Sequence, residues 1–170
     1  MILLGLGSNL TSSFGDRFKN IDLAVSALNS NGIEIKKKSS YYESLSYPNK
    51  ENPKFINIVV EAETHLFPED LASMLIFIEE SLERKRKEKN DPRTCDIDII
   101  DYNNKVINFK YKDLDFTVPH KKLIYRNFVL FPLHEILPNW KHPKTKELIS
   151  VLIKNIPKED KNSILKIKKS

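Results

Sequence analysis

The stretch Phe55 to Thr64 constrains the fold more than any other part of this chain. Its even positions, Ile56, Ile58, Val60 and Ala62, are all apolar, whereas Phe55, Asn57, Val59 and Glu61 are mixed. A period of two is the signature of a strand with one face fully buried. Such a face needs helices packed over it, and the chain supplies two candidates. Asp16 heads a segment with Phe18, Ile21, Val25 and Leu28 on one helical face, and Gly32 suits a left-handed stop. Pro68-Glu69-Asp70 opens a second, with Leu71, Leu75, Ile78 and Leu82 as its buried stripe and basic residues closing it near Arg86.

The remaining strands follow from local pattern. Ile2 to Leu6 is an apolar run ending in a turn at Gly7-Ser8-Asn9. Ile33 to Tyr42 is β-prone, with a Lys36-Lys37-Lys38 centre that suits an edge. Glu43 to Pro53 reads as a long loop. Cys95 to Tyr102 is a strand that Asn103-Asn104 turns into a hairpin with Val106-Ile107. The order is β-α-β-β-α-β, an α+β, ferredoxin-like antiparallel sheet with flanking helices. One domain over residues 1–156 is expected, with short helical pieces after the last strand. A Lys-rich tail, 157–170, is expected to fray.

Composition narrows the class. With 170 residues, 40% apolar and 30% charged, the chain is neither disordered nor membrane-embedded. One cysteine excludes a disulfide framework and fits a cytoplasmic setting. The net charge of +5 is concentrated. Six basic residues against two acidic ones lie between Arg84 and Arg93, directly before Thr94-Cys95-Asp96-Ile97-Asp98.

In that strand Asp96 and Asp98 share one face, roughly 7 Å apart from the rise per residue. Such a pair suits hard cations that complete their shells with water and phosphate. Arg93, stiffened by Pro92, can grip phosphate oxygens through two parallel hydrogen bonds. No Gly-x-x-x-x-Gly-Lys loop is present, and Gly5-Leu6-Gly7 reads as a tight turn rather than a dinucleotide fingerprint. Phe55 beside Asn57 could stack on a flat heterocycle while reading its polar edge. His65, His120, His134 and His142 have no zinc-ligand spacing.

Taken in order, Gly7-Ser8-Asn9-Leu10, Phe55-Ile56-Asn57, Pro92-Arg93-Thr94-Cys95-Asp96-Ile97-Asp98-Ile99, Val118-Pro119-His120, Arg126-Asn127-Phe128-Val129-Leu130 and Pro132-Leu133-His134-Glu135-Ile136 resemble the 6-hydroxymethyl-7,8-dihydropterin pyrophosphokinase family of folate biosynthesis. The resemblance implies transfer of pyrophosphate from ATP to the pterin hydroxymethyl group, with release of AMP. It implies two Mg²⁺ ions on Asp96 and Asp98, and catalytic roles for Arg84 and Arg93. By the same likeness Glu79, Arg86, Ile99, His120 and Arg126 contact ATP, while Ser44, Phe55, Asn57 and Phe128 form the pterin pocket. ATP and the pterin are the expected partners of a monomer that binds neither nucleic acid nor membrane.

The chain departs from the family in places. Asn90-Asp91 stands where Trp-Gly is usual, Leu45-Ser46 where Pro-Pro is frequent, and Glu83 where glycine is common, and Phe109 to Phe116 is longer. The alternatives are another Mg-dependent diphospho- or nucleotidyl-transferase, a degenerate paralogue that binds without turnover, and an RNA-binding module. The last lacks the glycine-spaced strand aromatics of its class.

Overall fold

The computed structural model describes residues 1–169. Strand β1 (Ile2–Ser8) is followed by helix α1 (Arg17–Ser30), strands β2 (Glu34–Lys38), β3 (Tyr41–Ser44) and β4 (Phe55–Glu63), and helix α2 (Pro68–Ser81). Strand β5 (Asp96–Tyr102) then leads to a hairpin of β6 (Ile107–Tyr111) and β7 (Leu114–Val118). A 3-10 turn (Leu123–Tyr125), helices α3 (Asn127–Ile136), α4 (Ile149–Lys154) and α5 (Lys158–Ser163), and strand β8 (Leu165–Ile167) complete the chain. The main sheet runs β5-β1-β4-β3-β8, with β2 also paired to β4, and all its pairings are antiparallel. With β2 and β3 taken as one interrupted strand, the elements from β1 to β5 follow the expected β-α-β-β-α-β order.

β4 is the central strand, and both its faces are buried over its middle residues, Ile56 to Val60. Ile56, Ile58, Val60 and Ala62 pack with Ile21, Ala24 and Leu28 of α1 and with Leu71, Leu75 and Ile78 of α2. Its opposite face is mixed in sequence but not in environment. Val59 joins Leu3 and Ile100 under Leu130 and Leu133 of α3 and Leu152 of α4. The sheet is therefore sandwiched between two helical layers. Ile99 and Ile100 face opposite layers by alternation, and a register shift between Leu3 and Leu4 makes Ile100 an extra residue of β5, so that Asp101 turns to the same layer as Ile100. Beyond that shift Asp101 is fully buried, its carboxylate accepting from Trp140 Nε1 at 2.8 Å and from the Asn104 backbone N–H at 2.8 Å.

Several expectations need correction. Gly5 and Gly7 lie inside β1 rather than in a turn. The Ile33–Tyr42 strand is interrupted at Ser39-Ser40: Lys38 faces Val60 and Tyr42 faces Asn57, so four steps oppose three. That extra residue is a bulge, and β3 continues into Glu43 and Ser44, which had been expected in a loop. α2 ends at Ser81 with Leu82 as cap, and Glu83 adopts φ 69°, so Arg84 and Arg86 lie past the helix.

Asn103-Asn104 does turn the chain, both residues with positive φ, but only Tyr102 and Lys105 bridge across it. β6 instead pairs with β7, and the stacked Phe109 and Phe116 rings, 4.9 Å apart, fix that register. The Lys-rich end does not fray. α5 forms there, and β8 adds an edge strand to β3. Among the described residues no helix is long and apolar enough to cross a membrane.

The buried Asp101–Trp140 pair yields a stability prediction. Trp140→Phe leaves one oxygen of a buried carboxylate without its donor, a loss of about 1–3 kcal/mol. Urea denaturation should register that loss while the far-ultraviolet circular dichroism of the folded chain stays unchanged.

Candidate active site

The site opens where β1, β4 and β5 run side by side. Gly7 of β1 lies opposite Asn57 on one side and Asp96 on the other, and Gly5 likewise separates Val59 from Asp98. Gly7 leaves no side chain between Asp96 and the Phe55–Asn57 end of β4, whereas the space over Gly5 is taken by Ile100. A Cβ on Gly7 would sit 3.3 Å from Asn57 Oδ1 and 3.4 Å from the Phe55 ring. The floor is flat because glycine makes it so.

Asp96 and Asp98 face the same cavity, as their alternation requires. That cavity has a volume of about 210 Å³ and lies between the end of α2, β5 and β7, with Glu79, Arg86, Ile99 and His120 also on its walls. Glu79 is 2% exposed. Its Oε1 accepts from Arg84 Nη1 at 2.6 Å and from the Ile97 backbone N–H at 2.7 Å, while Oε2 accepts a short hydrogen bond from Arg86. Burial pushes its pKa up to about 7, against the opposing pull of Arg84.

Each β5 carboxylate has its own guanidinium partners. Arg84 reaches Asp96 Oδ1 at 2.7 Å, and Arg93 grips Asp96 Oδ2 through Nε at 3.1 Å and Nη2 at 2.9 Å. Desolvation of Asp96 is outweighed by the charges of Arg93 and Arg84, which hold it below the ordinary carboxylate range. Asp98 has only Arg126, at 3.0 Å. Desolvation and the neighbouring Asp96 charge raise its pKa. Two like charges on one strand face are thus divided into a strongly ionised member and a strained one.

Asn9 was not singled out by sequence reasoning, and no periodicity marks it. Its side chain accepts from the Arg93 backbone N–H at 2.8 Å and donates to Pro53 O at 3.0 Å, and its backbone N–H donates to Arg93 O at 3.1 Å. It staples the basic loop and the 45–54 loop to the end of β1. β7 was missed too, because nothing in Leu114–Val118 distinguishes a cavity wall from an exposed hairpin.

The second group of expected residues lies on the α3 side of the sheet. Asn57 donates to Ser44 Oγ at 2.9 Å and to Tyr42 O at 3.2 Å, which fixes its amide and leaves Oδ1 without a hydrogen bond among the described residues. Arg93 stands over the Phe55 ring at 5.1 Å, and Arg126 over the Phe128 ring at 5.6 Å. The same two arginines therefore cap both aromatic faces and hold both carboxylates. Arg126 Nη2 also lies 3.3 Å from His120 Nε2, while His120 Nδ1 accepts from the Lys122 N–H.

The family model described as 7,8-dihydro-6-hydroxymethylpterin-pyrophosphokinase (HPPK) matches residues 3–138. The chain belongs to the HPPK family. A 2-amino-4-hydroxy-6-hydroxymethyldihydropteridine pyrophosphokinase of Aquifex aeolicus is 39% identical over 142 residues, covering 84% of this chain and 83% of that protein. The enzyme of the same name from Synechocystis is 35% identical over 155 residues, 91% of this chain and 75% of that one. Folic acid synthesis protein fol1 of Pneumocystis carinii is 35% identical over 164 residues, 96% of this chain, which spans only 21% of that longer protein. Among solved structures, a Plasmodium falciparum HPPK-DHPS triple mutant with pteroate superposes at TM-score 0.72 and 14% identity, over 98% of this chain and 46% of that one. That likeness supports the fold.

The environment of His120 makes a pH prediction. Burial, then the Arg126 and Lys122 charges, push its pKa down to about 4. An unfolded histidine takes up its proton near pH 6.5. Between about 6.5 and 4 the unfolded chain binds that proton and the folded chain does not, so this contribution to stability is lost as pH falls. NMR titration should show His120 neutral throughout pH 5–8, and Arg126→Gln should raise its midpoint.

Proposed function

We propose that this chain transfers the terminal diphosphate of ATP to the hydroxymethyl oxygen of 6-hydroxymethyl-7,8-dihydropterin, releasing AMP. The attacking oxygen forms a bond to the β-phosphorus, the bond between that phosphorus and the oxygen bridging to the α-phosphate breaks, and the hydroxyl proton leaves to solvent. The observation that carries this reading is the shared cavity wall of Asp96 and Asp98, ringed by Arg84, Arg86, Arg93 and Arg126.

Charge balance supports a metal–nucleotide substrate. Glu79, Asp96 and Asp98 nearly neutralise the four guanidinium groups, so a bare triphosphate would bring its negative charge against two carboxylates. Among the described residues no cluster of three or more His, Cys, Asp or Glu side chains could hold a metal alone. Two carboxylates suit Mg²⁺, which takes one or two and fills its other positions with water and substrate phosphates. The donor set fits ions that arrive with ATP. We assign two Mg²⁺ to Asp96 and Asp98, where they would neutralise developing charge and align the reacting oxygens.

The protein's own groups do the rest. On substrate arrival Arg84 and Arg93 exchange their carboxylate partner for phosphate oxygens, keeping the bidentate geometry that Arg93 already shows. Arg86, Ile99, His120 and Arg126 line the nucleotide side, with His120 neutral, so it presents a polar ring without a third positive charge beside Arg126 and Lys122. Glu79 acts on that side through Arg84 and Arg86. Phe55 and Phe128 offer aromatic faces to the flat bicycle, and Asn57, its amide fixed by Ser44, offers a free Oδ1 to the pterin N–H edge.

Asp98→Asn should lower kcat by roughly 10³-fold or more, since metal-ion stabilisation is worth several kcal/mol. Coupled detection of AMP would measure the fall, and turnover near wild type would remove the metal role. Phe128→Ala should raise the pterin KM by about two- to tenfold, the worth of one aromatic stack, with the ATP KM unchanged.

A further inference from the structure

The segment beyond residue 156 lies outside the residues matched to the family. It is nevertheless fastened to two walls of the proposed acceptor pocket, α3 and β3. Asn127, the first residue of α3 and the neighbour of Arg126 and Phe128, donates from Nδ2 to Asp160 O at 2.7 Å and lies 3.2 Å from Ser163 Oγ. Both acceptors belong to α5. β8 then pairs with β3, Leu165 opposite Glu43 and Lys166 opposite Tyr42, so the strand carrying Ser44 is an inner strand there rather than an edge. Lys166 Nζ also reaches Glu135 Oε2 of α3 at 3.3 Å, an oxygen that accepts from Tyr42 Oη as well. Lys50, in the 45–54 loop, meets Glu159 at 3.7 Å, an exposed pair that adds little by itself.

A six-residue helix with no buried side chain contributes nothing to the core. Its attachments therefore call for another account. α3 begins at Asn127 with no side-chain cap at Arg126, and the Asn127 amide ties that first turn to α5. The first turn carries Phe128, and the opposite wall, Ser44 with Asn57, rests on β3. One short strap joins the two.

We propose that α5 and β8 form a strap that sets the width of the acceptor pocket, with Asn127 as its positioning residue. This rests on the pterin reading given above. The strap acts through Phe128 and Ser44 without touching substrate, so loosening it weakens capture of the flat acceptor far more than that of the nucleotide, whose side it adjoins only at Arg126, a residue held separately by Asp98. Arg84, Arg86 and Asp96 have no contact with it.

The test uses the full-length chain with two separate substitutions. Asn127→Ala cuts the link between α5 and α3. Lys166→Pro removes a backbone donor from the centre of β8 and leaves Asn127 intact. Affinity for 6-hydroxymethyl-7,8-dihydropterin is measured by calorimetry with a non-hydrolysable MgATP mimic present, and affinity for the mimic is measured alone. Each substitution is expected to weaken pterin binding by about tenfold while affinity for the mimic stays within twofold of wild type. Hydrogen exchange should speed at the amides of the first turn of α3 in both variants. Equal pterin affinity in Asn127→Ala and wild type overturns the proposal, as does parallel weakening of both ligands, which marks a general structural loss. If Lys166→Pro does not fold, Asn127→Ala decides alone. A wild-type chain that binds no pterin at all refutes the acceptor assignment instead, so the two failures read differently.

Discussion

Glu79 is the group on which the charge arrangement of the site depends. It is a carboxylate with almost no access to water, at the end of a helix whose chain then turns sharply. Both its oxygens are committed: one accepts the Ile97 N–H of β5 and Arg84, the other accepts Arg86. Taking such a group out of water is unfavourable, and its raised pKa reflects that burden. The return is positional. The hydrogen bond from Ile97 ties the end of α2 to the strand bearing Asp96 and Asp98, and the two arginines are held at the mouth of the cavity before any phosphate arrives. Preorganised charge of this kind is the largest lever available for stabilising phosphoryl transfer, because nothing need reorganise at the moment of reaction.

The layering of the sheet explains how nucleotide and acceptor meet without interference. One face of β4 is given wholly to the packing of α1 and α2. The other carries Val59 in a second core at its centre and Phe55 and Asn57 near its end. Gly7 extends that end sideways to β5, so a surface with no intervening side chain joins the amide of Asn57 to Asp96, and Ile100 bounds it over Gly5. Reaction across that floor requires only that the acceptor and the phosphate chain lie side by side on it.

The parts of the fold readable from sequence are those in which a local period coincides with burial. β4, α1 and the Asp96–Asp98 alternation belong to this group, because each has one face in a core and the pattern records it. What was misjudged depended on partners distant along the chain. The bulge at Ser39-Ser40 arises from pairing with β4, and no local rule marks it. β6 turns to β7 because Phe109 and Phe116 stack, a choice between two neighbours that each segment permits alone. Lysines at positions 166, 168 and 169 suggested a solvated end, although a three-residue edge strand asks little of its side chains. In the site, the charged residues stood out by spacing and by family likeness, whereas Asn9, though part of the Gly7-Ser8-Asn9-Leu10 motif, works through hydrogen bonds to loops 37 or more residues away that no local window reveals.

The guanidinium groups over Phe55 and Phe128 have a consequence for the empty protein. Aromatic planes left bare beside a cleft tend to fold onto whatever apolar surface is nearest, and a slot that has shut in this way must be pried open before a ring can enter. Here each plane already carries a flat, polar cover about the size of the guest's edge. On the function proposed above, an incoming heterocycle would slide one planar group off and take its seat, like for like. The cleft is thereby kept ajar by its own cations, and the barrier to entry becomes an exchange of neighbours rather than the breaking of a hydrophobic seal.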